Sequence, residues 1–423
     1  MKTQRQLGRS ETANRPAASH NRGARRFIAG AVLAVLMIAT GAPAWGQQSR
    51  VYREGRAWVE EITGTMPVAR YAKVITDVGN ITVQGGGSQS ITYTVRKRSF
   101  TNSEQEARKQ FAMFNVITGK KLEASYLKGD WPPPHNIQRF SADFILQLPN
   151  GVEVAYLRTL GGNITANSFN GRVDAETSGG NLVLDNVGII RASTAGGNVT
   201  VGNSSGNVVV RSGGGNIKVS KVNGNLEVET GGGQVNVGSA QTTIVRTSGG
   251  NIQVKQSTGD LVASTGGGSV DVGEVYGKAS LETSGGSIRL GLAKGLVSAR
   301  TGSGSIELFK LSHGAQAQTS AGTITAEFVG SKEQFQESYL RTMAGDVRVY
   351  LGNWIPVTVH AASEMASGRV GIEAPDFPEL KVTTEGVEWG PKSTYCEGTL
   401  NGGGPILKVR TTIGKIEFRR AGK

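Results

Sequence analysis

Glu176, Ser193, Arg211, Glu229, Arg246, Ser264, Glu282 and Arg300 recur at steps of 17 or 18 residues, with Asp174 and Arg191 two positions before the first two. Carboxylates brought together in this way could serve a glycosidase, which needs two or three of them on one face. The signs argue otherwise. Like charges never fall on neighbouring steps, and Arg211, Glu229 and Arg246 alternate. Cross-strand pairs of this kind contribute roughly 0.2 to 1 kcal/mol each, so the column reads as a mutually neutralising solvent face. Asp174 and Glu229 remain the positions at which hydrolysis would be tested.

Other chemistries find less support. Beyond residue 46 the histidines are His135, His313 and His360, isolated and without partners at metal-ligand spacing. Cys396 is the single cysteine, lacks the His/Asn context of a nucleophile, and reads as a buried apolar residue. Serial calcium binding needs an Asp at a fixed offset in each turn, but those positions read Val219-Ser220, Val237-Gly238, Val254-Lys255, Val272-Gly273 and Leu290-Gly291. No cofactor and no metal is expected. Glycan platforms use exposed aromatics, and the regular region holds Phe169, Tyr276 and Phe309. Phe169 and Tyr276 fall near the inward pattern, which leaves Phe309 as the surface candidate. Trp131 and Trp354 read as loop residues covering an edge.

The element that must position these side chains is written in stretches such as TSGGNIQVK (residues 247–255). A glycine before a polar residue, usually Asn or Ser, recurs at Gly162, Gly180, Gly197, Gly215, Gly233, Gly250, Gly268, Gly286, Gly304 and Gly322, in steps of 17 or 18. A second turn glycine lies about midway, so each unit is two half-units of about nine residues. Such a period marks a solenoid. Within a unit, Ile217 and Val219 alternate with Asn216 and Lys218, and Leu226 and Val228 with Glu227 and Glu229, placing one set inward. The expected fold is all-β: a single-domain parallel β-helix, or β-solenoid, of ~18-residue coils. At about 4.8 Å per rung, ten coils would stack to roughly 50 Å.

Three ladders follow from the repeat. Thr159, Thr177, Thr194, Ser212, Thr230, Thr247, Thr265, Thr283, Thr301 and Thr319 stand three residues before the marked glycines, at the inner edge of the core. Asn163, Asn181, Asn198, Asn216 and Asn251, with Gln234 and later serines, form a second ladder of side-chain amides. The glycines are expected to supply positive φ for the corner. All three sets are read as structural.

Residues 1 to 46 read as a signal peptide. A basic stretch ending Arg25-Arg26 precedes an apolar run from Phe27 to about Thr40, and Ala42-Pro43-Ala44 suits a signal peptidase. That run is too short for a comfortable membrane span, and nothing later approaches one. The leader holds six of the thirteen net positive charges, leaving +7. This mild excess attracts anionic polymers at low salt but is no nucleic-acid signature. Residues 47–160 are expected to start and cap the solenoid, 161–330 to form its regular repeats, and 331–423 to supply its last rungs and cap. Ser103-x-x-Glu106 is a capping box for a helical excursion through Phe114. Trp131-Pro132-Pro133-Pro134 reads as a rigid loop, Ser331-x-x-Gln334 as one helical turn, and 352–404 is the least readable stretch.

Thr76-Asp77-Val78-Gly79-Asn80-Ile81-Thr82-Val83, Val95-Arg96-Lys97-Arg98 and the following helix resemble the start of an adhesin-like bacterial domain family of unknown function. The TSGGN array and the ending Gly402-Gly403-Gly404-Pro405…Arg410-Thr411-Thr412-Ile413-Gly414-Lys415-Ile416-Glu417-Phe418 extend the resemblance over nearly all of 50–420. It implies an exported β-solenoid with no catalytic residues. The expected function is therefore that of a non-enzymatic, adhesin-like protein in the periplasm, on the outer surface or outside the cell. Its surface would bind an anionic glycan or another envelope polymer. A self-assembling envelope scaffold is the alternative, and a polysaccharide-cleaving β-helix the third reading.

Overall fold

The computed structural model describes residues 46–87, 89–131, 139–331, 334–364, 371–386 and 392–422. The chain divides into two compact units, Met1–Ala44 and Trp45–Lys423, and the described residues belong to the second. The leader reading, the proline loop at 132–134 and His135 lie outside the described residues.

The second unit is a parallel β-solenoid. Each regular coil contributes one strand leading into the Thr position, such as Leu226–Thr230, and one trailing the Gly-Asn corner, such as Ile217–Val222. Alternation settles which side chains go in. Val208, Val210, Leu226, Val228, Ile217 and Val219 are all at most 1% exposed. Leading strands pair with leading strands and trailing with trailing, in parallel register from coil to coil, with shifts at Phe169/Arg172 and Leu308/Leu311. Full burial of one such aliphatic side chain is worth about 1.5–3 kcal/mol relative to exposure. Because no coil can bury its inner face alone, that stabilisation arises only on stacking.

At both ends the order of coils departs from the order of the chain. Ala124–Asp130 pairs in parallel with Tyr71–Thr76, and Phe140–Leu148 with Ile81–Gly85, so a later coil lies outside an earlier one. An antiparallel series then covers it: Ile91–Ser99 on Phe140–Leu148, Ala57–Met66 on Ile91–Ser99, and Gln48–Glu54 on Ala57–Met66. Helix Glu104–Met113 starts at Ser103, whose Oγ accepts from Glu106 N at 3.2 Å. Lys97, 5% exposed, fastens it by donating to Phe111 O at 2.9 Å while pairing with Glu60 at 2.8 Å.

The other end doubles back as well. The last strands, Ile406–Ile413 and Ile416–Arg420, slot beside Ser338–Ala344 and Val347–Leu351. Val357–Ser363 and Ile372–Glu373 stack outside them. Antiparallel strands Lys392–Leu400 and Lys381–Gly386 close the leading side. Where a helical turn was expected after Ser331, Gln334 N and Phe335 N both reach Ser331 O, and Phe335 packs on Phe328 at 5.4 Å.

Candidate functional site

The corner residues meet across coils. Thr230 Oγ1 donates to Gly215 O of the previous coil at 2.9 Å and accepts from Gly233 N of its own at 3.4 Å. Thr159, Thr177, Thr194, Ser212, Thr247, Thr265, Thr283, Thr301 and Thr319 donate in the same way at 2.8–3.1 Å. The ladder runs on through Thr342, Thr411 and Ser363. In the second ladder the amide oxygens do not meet other amides. Asn163, Asn181, Asn198 and Asn216 each accept, at 2.8 Å, from the backbone N–H one coil further on. Asn251 does so for Ser269.

The glycines serve a purpose other than the one expected. Gly162, Gly180, Gly197, Gly215, Gly233, Gly250, Gly268, Gly286 and Gly304 are not among the positive-φ residues, whereas Gly322, Gly345 and Gly414 are. A Cβ at any position of this column would overlap the carbonyl oxygen of the preceding glycine in the stack. Close backbone approach, not left-handed geometry, excludes side chains through the regular array.

On the outer face of the leading strands lies a solvent-open groove of about 590 Å³. It is lined by two register columns, Lys73–Tyr156–Asp174–Arg191–Val209–Glu227 and Ile75–Arg158–Glu176–Ser193–Arg211. Short side chains at Ser193 and Val209 between long neighbours account for the dip. Tyr156 is its aromatic centre: Lys73 Nζ lies 5.4 Å and Arg172 Cζ 5.9 Å from its ring, with Tyr71 tilted at 6.1 Å. Cation–π contacts of this kind hold the two positive groups against the ring. Arg172 pairs with Asp174 at 2.7 Å, a hydrogen bond that raises the guanidinium above its ordinary value. Arg172 Nε and Asp174 Oδ1 are buried without a hydrogen-bond partner.

The expected alternating column takes this form in part. Arg211 bonds Glu229 at 3.3 Å and Glu227 at 2.9 Å, and Arg158 approaches Glu176 at 3.8 Å. Glu229 and Arg246, and Glu282 and Arg300, are cross-strand partners. A glycosidase needs two carboxyl groups facing a shared substrate position, whereas the groove's carboxylates are each engaged by an arginine.

The aromatics fall differently from expectation. Phe169 is buried, but Tyr276 is 40% exposed beneath Lys294 at 5.0 Å, because the turn after Val275 ends the strand alternation. Phe309 is half-buried under Arg289 at 5.5 Å. Trp131 packs edge-on against Phe114 and Phe140, while Trp354 is 83% exposed. His360 Nδ1 sits 3.3 Å from Glu397, and His313 is half-buried. Cys396 is fully buried, and burial with the nearby Glu397 charge pushes its thiol up to about 11. Among the described residues, no three His, Cys, Asp or Glu are grouped to hold a metal ion, and no helix is long and apolar enough to cross a membrane. Sequence reasoning missed Lys73, Tyr156 and Arg172, which precede the regular array or sit at its first bend.

No family model matches the chain, and no curated protein does. Matching solved structures include a protein provisionally named an adhesin from Bacteroides fragilis, at 15% identity over 64% of this chain and 94% of that one, TM-score 0.25. A provisionally named cell adhesion protein from Clostridium sporogenes matches at 10% identity over 86% and 99%, TM-score 0.16. Another provisionally named adhesin, from Parabacteroides distasonis, matches at 12% over 85% and 96%, TM-score 0.17. Scores this low carry no argument about ligand or activity.

Proposed function

We propose that this chain is an exported, non-enzymatic, adhesin-like β-solenoid whose leading-strand face binds an envelope or surface polymer. The observation that carries the reading is the open groove around Tyr156, where an aromatic ring is flanked by Lys73, Arg158, Arg172 and Arg191 on a rigid sheet. Rings and fixed cations on an open surface suit an extended chain with apolar sugar faces and negative groups. Residues 47–423 should bind an isolated envelope fraction at low salt, and Tyr156→Ala with Arg191→Ala should weaken that binding. Equal binding by wild type and variant would remove the groove from consideration.

Self-assembly is the second reading, favoured by the edge strand Lys381–Gly386, which is exposed along its whole length. An unpaired strand edge is a template for another chain. Light scattering that grows with concentration would support it. A strictly monomeric species at high concentration would end it.

A further inference from the structure

The fold makes neighbours of two arginines that lie 69 residues apart in sequence, Arg341 and Arg410. Because the final strand doubles back beside Ser338–Ala344, the two are direct cross-strand partners, as are Tyr339 and Lys408. Both arginines are exposed, and among the described residues neither has an ion-pair partner. Like charges directly opposite one another are destabilising. Elsewhere on this face arginine meets a carboxylate, as at Arg158–Glu176 and Arg211–Glu229.

The column continues in both directions. On one side stand Gln318 and then Arg300. On the other, Arg410 is followed by Ala362 and then by Tyr395, which is 38% exposed. In this column a methyl group stands between a guanidinium and a phenol ring. Of the flanking carboxylates, Glu397 lies against His360 and Glu364 bonds Thr412.

We propose that this strip is a binding site for a polysaccharide bearing carboxylate or sulfate groups. Arg341 and Arg410 grip the anionic groups as paired forks, and Tyr395 stacks a sugar ring over Ala362. Planar guanidinium groups match oxyanions in bidentate geometry, and adjacent rungs hold them about 4.8 Å apart. The proposal rests on the reading that this face binds a polymer, and it assigns that face a second site with a defined ligand class. A nucleic acid fits less well, since tight binding to it neutralises many phosphates in a row.

The test uses residues 47–423 on polygalacturonate, dextran sulfate and neutral dextran over a range of salt. Wild type should bind at least one acidic polymer and not the neutral one, and the acidic arm that binds identifies the anionic group. Arg341→Gln with Arg410→Gln should lose about tenfold in affinity and flatten the salt dependence by about one unit of slope per charge removed. Tyr395→Ala should weaken binding without changing that slope. No binding to either acidic polymer, or unchanged binding by the double arginine variant, overturns the site, as does tighter binding to single-stranded DNA. Tyr156→Ala, run in parallel, separates the two ideas: if it alone abolishes binding, the surface reading stands and this site falls.

Discussion

From Thr159 to Thr301 each hydroxyl of the corner ladder joins two coils, donating to a glycine carbonyl below and, as at Thr230, accepting from a glycine N–H of its own coil, whereas at Thr319 the corner N–H of Gly322 turns to Ala344 O. Replacing Thr230 by Val keeps the shape but leaves both groups unpaired in a buried corner, and should cost about 1–3 kcal/mol in a urea titration. Thr230→Ser should cost much less, because Ser212 already fills the same place one coil away. At Gly250 a methyl group would overlap the Gly233 carbonyl, so Gly250→Ala is expected to destabilise by more than about 2 kcal/mol. Cys396 should resist alkylation in the native protein and react once it is unfolded, since only the thiolate is nucleophilic and burial holds the thiol neutral. These corner residues were legible in the sequence because a fixed period repeats the same demand. The reason for the glycines was not, because a collision with a neighbouring coil leaves no mark on local conformation.

The terminal elements were the hardest to read. Periodicity fails in 352–404 because the one rung there, Val357–Ser363 with Ile372–Glu373, is followed by Lys381–Gly386 and Lys392–Leu400, which pair antiparallel and repeat no corner. The adjacency of Arg341 and Arg410 was equally hidden, since it exists only through the exchange of coil order. The antiparallel cap at the other end carries its own titration signature. Burial alone would raise the Glu61 carboxyl, but hydrogen bonds from Arg50 and Tyr52 and the charges of Arg50 and Arg96 pull it below its ordinary 4.5. A depressed carboxylate contributes its stability in full above the ordinary value and loses it as pH falls through the lower folded one. Glu61→Gln should therefore flatten the acid limb of the stability curve, measured by denaturant titration across the carboxylate range.

Across the solenoid, stability is expected to behave as a sum of coil and nearest-neighbour terms. Deleting residues 248–265 removes one 18-residue coil and joins Thr247 to Gly266, so both ladders and the inward alternation continue. That variant should fold, with a melting temperature lowered by about 2–4 °C. Deleting only 248–256, half a coil, sets leading strands against trailing ones and should abolish the native circular dichroism signal. The parallel register has a mechanical side as well. Bonds between coils point along the direction of stacking, so a pull in that direction loads them one rung at a time instead of shearing many together. Each coil that gives way frees about 60 Å of extended chain. A stack of such coils is expected to lengthen in steps under sudden load, spreading the shock over time instead of passing it on at once.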